Sequence, residues 1–174
     1  DTEGNFTATL NNADRFGVSI ANIGDFNNDG VTDIAVGAYG DGSSRGAVYI
    51  LFLNTDGTVS NYQKISDTAG GFTATLNDGD RFGISIASIG DLNNDGINDI
   101  AVGAPQDDDG ISSNQGAVYI LFLNSDGTVS DYQKISDTEG NFTATLNDHD
   151  YFGISIASIG DLNNDGINDI AVGA

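Results

Sequence analysis

The chain repeats itself, and that limits its folds more than any other feature. Phe16-Gly17 returns as Phe82-Gly83 and again as Phe152-Gly153, a period of 66 residues followed by one of 70. Segment 82–104 is identical to 152–174, GAVYILFLN at 46–54 is identical to 116–124, and DTEGNFTATLN opens the chain and returns at 137–147. The extra residues of the second period fall in one place, where YGDGSSR (39–45) becomes PQDDDGISSNQ (105–115). Self-similarity at a fixed period marks a repeat architecture, in which each unit buries its apolar face against its neighbours.

One period reads as four strands. FGISIASIG alternates apolar and small residues (strand A). DIAVGA is a short continuous apolar run suited to an inner strand (B), and GAVYILFLN is rich in β-branched and aromatic residues (C). YQKIS and the following FTATLN supply the fourth stretch (D), with a bend expected at Gly70-Gly71. Thr55-Asp56-Gly57-Thr58 is an Asp-Gly hairpin signal between C and D. No segment holds a sustained helical period, so the chain is all-β. Four antiparallel strands per unit of this length suit a β-propeller blade; solenoid repeats run shorter, roughly 20–45 residues. The reading is one propeller region over 1–174, a partial ring of about 2.5 blades. Residues 1–12 form the outer strand of a preceding blade, 13–78 and 79–148 are blades, and 149–174 is the first half (A and B) of another. Such a piece exposes blade faces and strand edges, which predicts self-association or membership of a longer chain.

Charge narrows the partners. Five Lys and Arg face 26 Asp and Glu, a net charge of −21. Such a chain is repelled by nucleic-acid phosphates and by anionic membrane surfaces, so neither partner is expected. GAVYILFL is far too short to span a bilayer, so no membrane insertion is expected either. There is no Cys, which removes disulfides and thiolate metal sites. The acidic stretches alternate with dense apolar ones, so the chain folds and has to find counter-cations.

The order of motifs carries a resemblance. Phe82-Gly83, then Asp91-Leu-Asn-Asn-Asp-Gly-Ile-Asn-Asp99, then Gly103-Ala104-Pro105 resembles the FG-GAP repeat, the blade of integrin α-subunit propellers. The first copy has Tyr39 where the family usually has Pro, and the third runs to Gly173-Ala174. The resemblance implies a ring of about seven blades, calcium in the A–B hairpins, and an extracellular or cell-surface setting. The near-identity of the copies points to a bacterial-type surface protein.

The hairpins themselves suit calcium, a hard cation that takes six to eight oxygens. In GDFNNDGVTD, positions 1, 3, 5 and 9 are Asp25, Asn27, Asp29 and Asp33, with the Val31 carbonyl at position 7 and a turn-forming Gly30 at position 6. The second set is Asp91, Asn93, Asp95, Asp99 and the Ile97 carbonyl. The third is Asp161, Asn163, Asp165, Asp169 and the Ile167 carbonyl. An EF-hand would need a Glu at position 12 and an exiting helix; here Val36, Val102 and Val172 stand there, inside a strand. A metal-free Asp/Asn turn is the plain alternative, and the retention of every ligand position in three copies argues against it. Three structural calcium ions are therefore expected, and no catalytic role, since no partner base recurs beside the loops.

Function is expected at the other end. Differences between the copies gather in the B–C loops and in the D–A loops, NNADR (11–15), NDGDR (77–81) and NDHDY (147–151). Strand alternation puts both sets on the face opposite the hairpins, which the resemblance makes the ligand-binding one. Arg15, Tyr39, Arg45, Arg81, His149, Tyr151 and Asp107-Asp108-Asp109 are its candidates, the last a solvated cluster or a further cation site. The leading reading is a calcium-stabilised, non-enzymatic module for adhesion or for binding a protein or glycan. The alternatives are a structural spacer in a surface protein and an accessory domain of a larger enzyme.

Overall fold

A computed structural model describes residues 3–109 and 113–174. Asp1 and Thr2, at the start of the strand expected over 1–12, and Gly110, Ile111 and Ser112 of the second B–C loop lie outside the described residues. The described residues form ten strands in three antiparallel sheets, two four-stranded meanders and one hairpin. The first holds β1 (Ile20–Gly24), β2 (Asp33–Ala38), β3 (Ala47–Leu53) and β4 (Val59–Ile65). The second holds β5 (Ile86–Gly90), β6 (Asp99–Ala104), β7 (Ala117–Leu123) and β8 (Val129–Ile135). The third holds β9 (Ser155–Gly160) and β10 (Asp169–Gly173). These are the four-stranded blades and the half blade of a partial propeller.

Burial follows the sequence logic. β6 is buried along its whole length and β2 nearly so, as a continuous apolar run between two covered faces requires. β1, β5 and β9 lie next to one another, so the sheets stack through their inner strands. The largest core joins Ile23, Val48, Ile50 and Phe52 of the first sheet to Ile100, Tyr119 and Leu121 of the second and to Phe82, which precedes it.

The family dipeptides meet at this interface. A Cβ added to Gly37 would lie 1.9 Å from the Gly83 carbonyl oxygen, and one on Gly103 would lie 2.0 Å from that of Gly153. The glycine of each GA step thus admits the FG turn of the next blade. Ser19 and Ser85 secure the contact by donating their hydroxyls to the same two carbonyls at 2.8 and 2.7 Å.

Two segments differ from the strand reading. Phe82-Gly83 precedes β5, and Phe82 makes one parallel bridge to Gly46. FTATLN at 72–77 forms no strand: Gly70 and Gly71, both at positive φ, break the extension after β4. Phe72 stacks on Phe82 at 5.1 Å and meets Tyr119 and Tyr132 edge-on at 5.5 and 5.2 Å. Its alternation is real, with Phe72, Ala74 and Leu76 buried and the threonines between them exposed, but it packs on the next blade without a ladder. Phe6 repeats this against Phe16 and Tyr62 at 5.0 and 5.3 Å, so residues 6–10 also lie on the sheet that follows them.

Candidate metal centre

Each acidic loop grows from a β-bulge. Pairing of β1 with β2 shifts register between Asn22 and Gly24, and the same shift recurs at Ser88/Gly90. A bulge bends and twists its strand, here turning the chain into the loop.

Inside the first loop the side-chain oxygens bind the loop's own backbone. Asp25 accepts from the Asp29 and Gly30 N–H groups at 2.9 and 2.8 Å. Asn27 Oδ1 accepts from Asp29 N–H at 3.0 Å, and Asp29 Oδ1 from Val31 N–H at 2.8 Å. Asp91, Asn93 and Asp95 reproduce the set, as do Asp161, Asn163 and Asp165. Gly30, Gly96 and Gly166, all at positive φ, provide the turn at position 6. Val31, Ile97 and Ile167 follow directly.

The ninth position has a second task. Asp33 is fully buried, with one carboxylate oxygen on Phe26 N–H at 3.0 Å and the other on Leu53 N–H at 2.9 Å. It therefore ties the loop to the end of β3, beside the C–D hairpin. Asp99 does the same with Leu92 and Leu123, and Asp169 holds Leu162 N–H at 2.8 Å. Burial pushes the Asp99 carboxyl above the ordinary carboxylate range, against the pull of its two N–H partners.

The oxygen chemistry fits a hard divalent cation: three carboxylates and a carboxamide per loop, with lone pairs left beyond those the backbone occupies. Asp25, Asn27 and Asp29 are solvent-exposed, while Asp33 is buried at the root of the loop and offers an ion the lone pairs that the Phe26 and Leu53 N–H groups leave free. Among the described residues no three His, Cys, Asp or Glu side chains are gathered around a single metal position; the loop oxygens rest on the loop's own N–H groups.

The opposite end has its own electrostatics. Lys134 Nζ lies 2.5 Å from Asp107 and also contacts Asp109. Tyr119 donates its hydroxyl to Asp107 at 2.7 Å. The solvated-cluster reading of Asp107-Asp108-Asp109 is thereby corrected: Asp107 and Asp109 are enclosed around a lysine, which occupies the place of a further cation. Lys64 pairs with Asp41 at 2.8 Å in the first blade. Arg45 bridges Asp67 at 3.0 Å and Asp78 at 2.8 Å. Arg81 stands over the Tyr39 ring at 5.8 Å, and His149 meets Tyr151 edge-on at 5.9 Å. The B–C loop of one blade thus interlocks with the D–A loop of the next.

Sequence reasoning passed over two groups here. One is the lysine of the repeated YQK; its signal was an Asp kept in both B–C loops. The other is the last Asp of the D–A loops, Asp14, Asp80 and Asp150, constant within a variable segment. Each accepts the backbone N–H three residues earlier, at 2.7, 2.6 and 2.6 Å. Among the described residues no helix is long and apolar enough to cross a membrane.

Comparison with known proteins matches this architecture. A family model described as the FG-GAP repeat covers residues 16–51 and 82–121. The chain is 39% identical to human integrin alpha-11 over 168 residues, 91% of this chain. It is 34% identical to Drosophila melanogaster integrin alpha-PS5, again over 91% of this chain, and 36% identical to chicken integrin alpha-6 over 93%. The chain spans only 12%, 15% and 14% of the lengths of those relatives.

Proposed function

This is an FG-GAP repeat chain similar to integrin α subunits, and from that premise we propose that it is an extracellular, calcium-stabilised propeller module for adhesion or ligand binding. Calcium is structural, held by the oxygens of Asp25, Asn27, Asp29 and Asp33 with the Val31 carbonyl, and by the corresponding groups of the other two loops. The end formed by the B–C and D–A loops meets a protein or glycan ligand. On this reading the module recognises and does not catalyse.

Charge segregation carries the proposal. The chain has five Lys and Arg, and all stand at the B–C and D–A end or at the adjoining end of strand D: Arg15, Arg45, Lys64, Arg81 and Lys134. Every ion pair among the described residues lies there too. Each acidic loop crowds three carboxylates with no cationic side chain beside them. A bound divalent ion supplies the missing positive charge and an oxygen-hungry centre. The chain's own part is to hold the oxygens: Asp33 and Asp99 fix the loop root to the sheet, and the position-6 glycine folds the exposed carboxylates back over it.

Thermal melting with calcium and with excess chelator tests this. Calcium at a hundredfold excess over Kd contributes roughly 2.7 kcal/mol per loop, which for a chain of this size raises Tm by at least about 5 °C. An unchanged Tm refutes the calcium reading. The loaded protein is then probed on protein and glycan arrays, where no binding at high concentration refutes the recognition reading.

A further inference from the structure

The loop residue at position 8 leaves its own blade. Asn98 donates its Nδ2 to the backbone carbonyl of Ile23 at 2.8 Å, and Asn168 donates to that of Ile89 at 3.1 Å. Ile23 and Ile89 stand two residues before Asp25 and Asp91, at the root of the preceding blade's acidic loop. Each hydrogen bond therefore joins the closing end of one loop to the opening end of its neighbour. The approach is close: a Cβ on Gly24 would lie 3.0 Å from Asn98 Nδ2, and one on Gly90 the same distance from Asn168 Nδ2. Both glycines have positive φ, so the turn and the contact favour the same residue. In the first loop the position is Thr32, an exposed residue with a shorter side chain.

We propose that Asn98 and Asn168 are positioning residues that couple the acidic loops of adjacent blades, so that filling one loop with calcium strengthens binding in the next. The inference rests on the calcium reading above. Asn98 stands between two groups of its own site, the Ile97 carbonyl and Asp99. An ion that orders these two orders the backbone of Asn98 and, through its carboxamide, the Ile23–Gly24 root from which Asp25 projects. The entropy of fixing that root is then spent once and serves both sites. By linkage the effect runs equally in both directions. Repulsion between bound ions opposes it and is weakened by salt.

Calcium titration followed calorimetrically at about 0.15 M salt tests the coupling, with the parent chain, Asn98→Thr, Asn168→Thr and the double variant. Threonine already serves at this position in the first loop, so the substitution leaves the loop able to close. The expected coupling is about fivefold in affinity per link, near the lower end of ordinary site–site coupling. The parent should titrate with a Hill coefficient above one and the double variant with a coefficient near one. Disabling the third loop by Asp165→Ala should weaken calcium in the second about fivefold when Asn168 is present and leave it unchanged in Asn168→Thr. A merely structural role would lower melting temperatures without moving this difference. If the parent binds calcium with the same steepness as the double variant, the coupling is overturned and the calcium reading stands. If the parent takes up no calcium, both fall.

Discussion

Asp80 offers a prediction whose size follows from the structure. Its side chain is 2% exposed. Burial pushes its carboxyl up to about 7, from an ordinary value of 3.8. Asp107 and Asp108 add to the rise, while the Asn77 N–H and Lys134 oppose it. A carboxyl raised in the fold binds its proton more tightly there than in the unfolded chain. Below pH 3.8 both states are protonated and the group is neutral toward stability. As pH climbs toward 7 the unfolded chain ionises freely and the fold does not, so stability falls, then levels above 7. The difference corresponds to roughly 4 kcal/mol, a large share of the 5–15 kcal/mol typical of a domain. Asp80→Asn removes the charge and keeps an oxygen to accept the Asn77 N–H. Urea unfolding at fixed saturating calcium, followed by circular dichroism at pH 4 to 8, compares parent and variant so that all other titrations cancel. The two should be nearly equal at pH 4, and the variant should lead by a few kcal/mol at pH 8. A variant less stable than the parent at pH 8, or a difference flat across the range, refutes the reasoning.

Two further outcomes follow from the packing. Lys134→Met should cost about 3–5 kcal/mol in urea unfolding at neutral pH, because it leaves Asp107 and Asp109 enclosed without their cation. Lys64→Met, whose lysine is more exposed and has one carboxylate partner, should cost only about 1 kcal/mol. Equal losses would refute the role of enclosure. Gly103→Ala should destabilise by about 3 kcal/mol or more, since its Cβ would lie 2.0 Å from the Gly153 carbonyl oxygen; an unchanged urea midpoint would show that the blade interface is loose.

The blades were legible because three copies give the same strands in the same order, and Asp-Gly turns mark the C–D hairpins. The loops were legible because side-chain spacing within ten residues is local information. FTATLN was misread because alternation reports a half-buried extended segment, whether its other face is a ladder or a neighbour's aromatic rings. Phe72 chose the rings of Phe82, Tyr119 and Tyr132. The Lys134 cluster was hidden for the opposite reason. Its members lie 27 and 25 residues apart and meet only once β7 and β8 bring the end of strand D beside the B–C loop. The position-8 asparagines were visible as a difference from Thr32, but their partner on another blade was not.

Interlocking changes how the variable end should be searched for a binding surface. Differences between copies there marked the end expected to bind a ligand, yet much of the variation preserves a contact. Arg45 becomes Gln115, and both donate to the aspartate after strand D, Asp67 in one blade and Asp137 in the other. In both blades the contact is made to one carboxylate oxygen only, and in the second Asp137 Oδ1 is buried without a hydrogen-bond partner among the described residues. Asp41 with Lys64 becomes Asp107 and Asp109 with Lys134, an insertion absorbed by a second carboxylate on one lysine. Residues held this way are committed to joining strands and blades, and substituting them would disturb the fold before it disturbed a ligand. The search therefore narrows to side chains whose differences preserve no such pairing: exposed Arg15 and His149, half-buried Tyr151, and Asp108, which shares the loop with Asp107 and Asp109 but not their lysine.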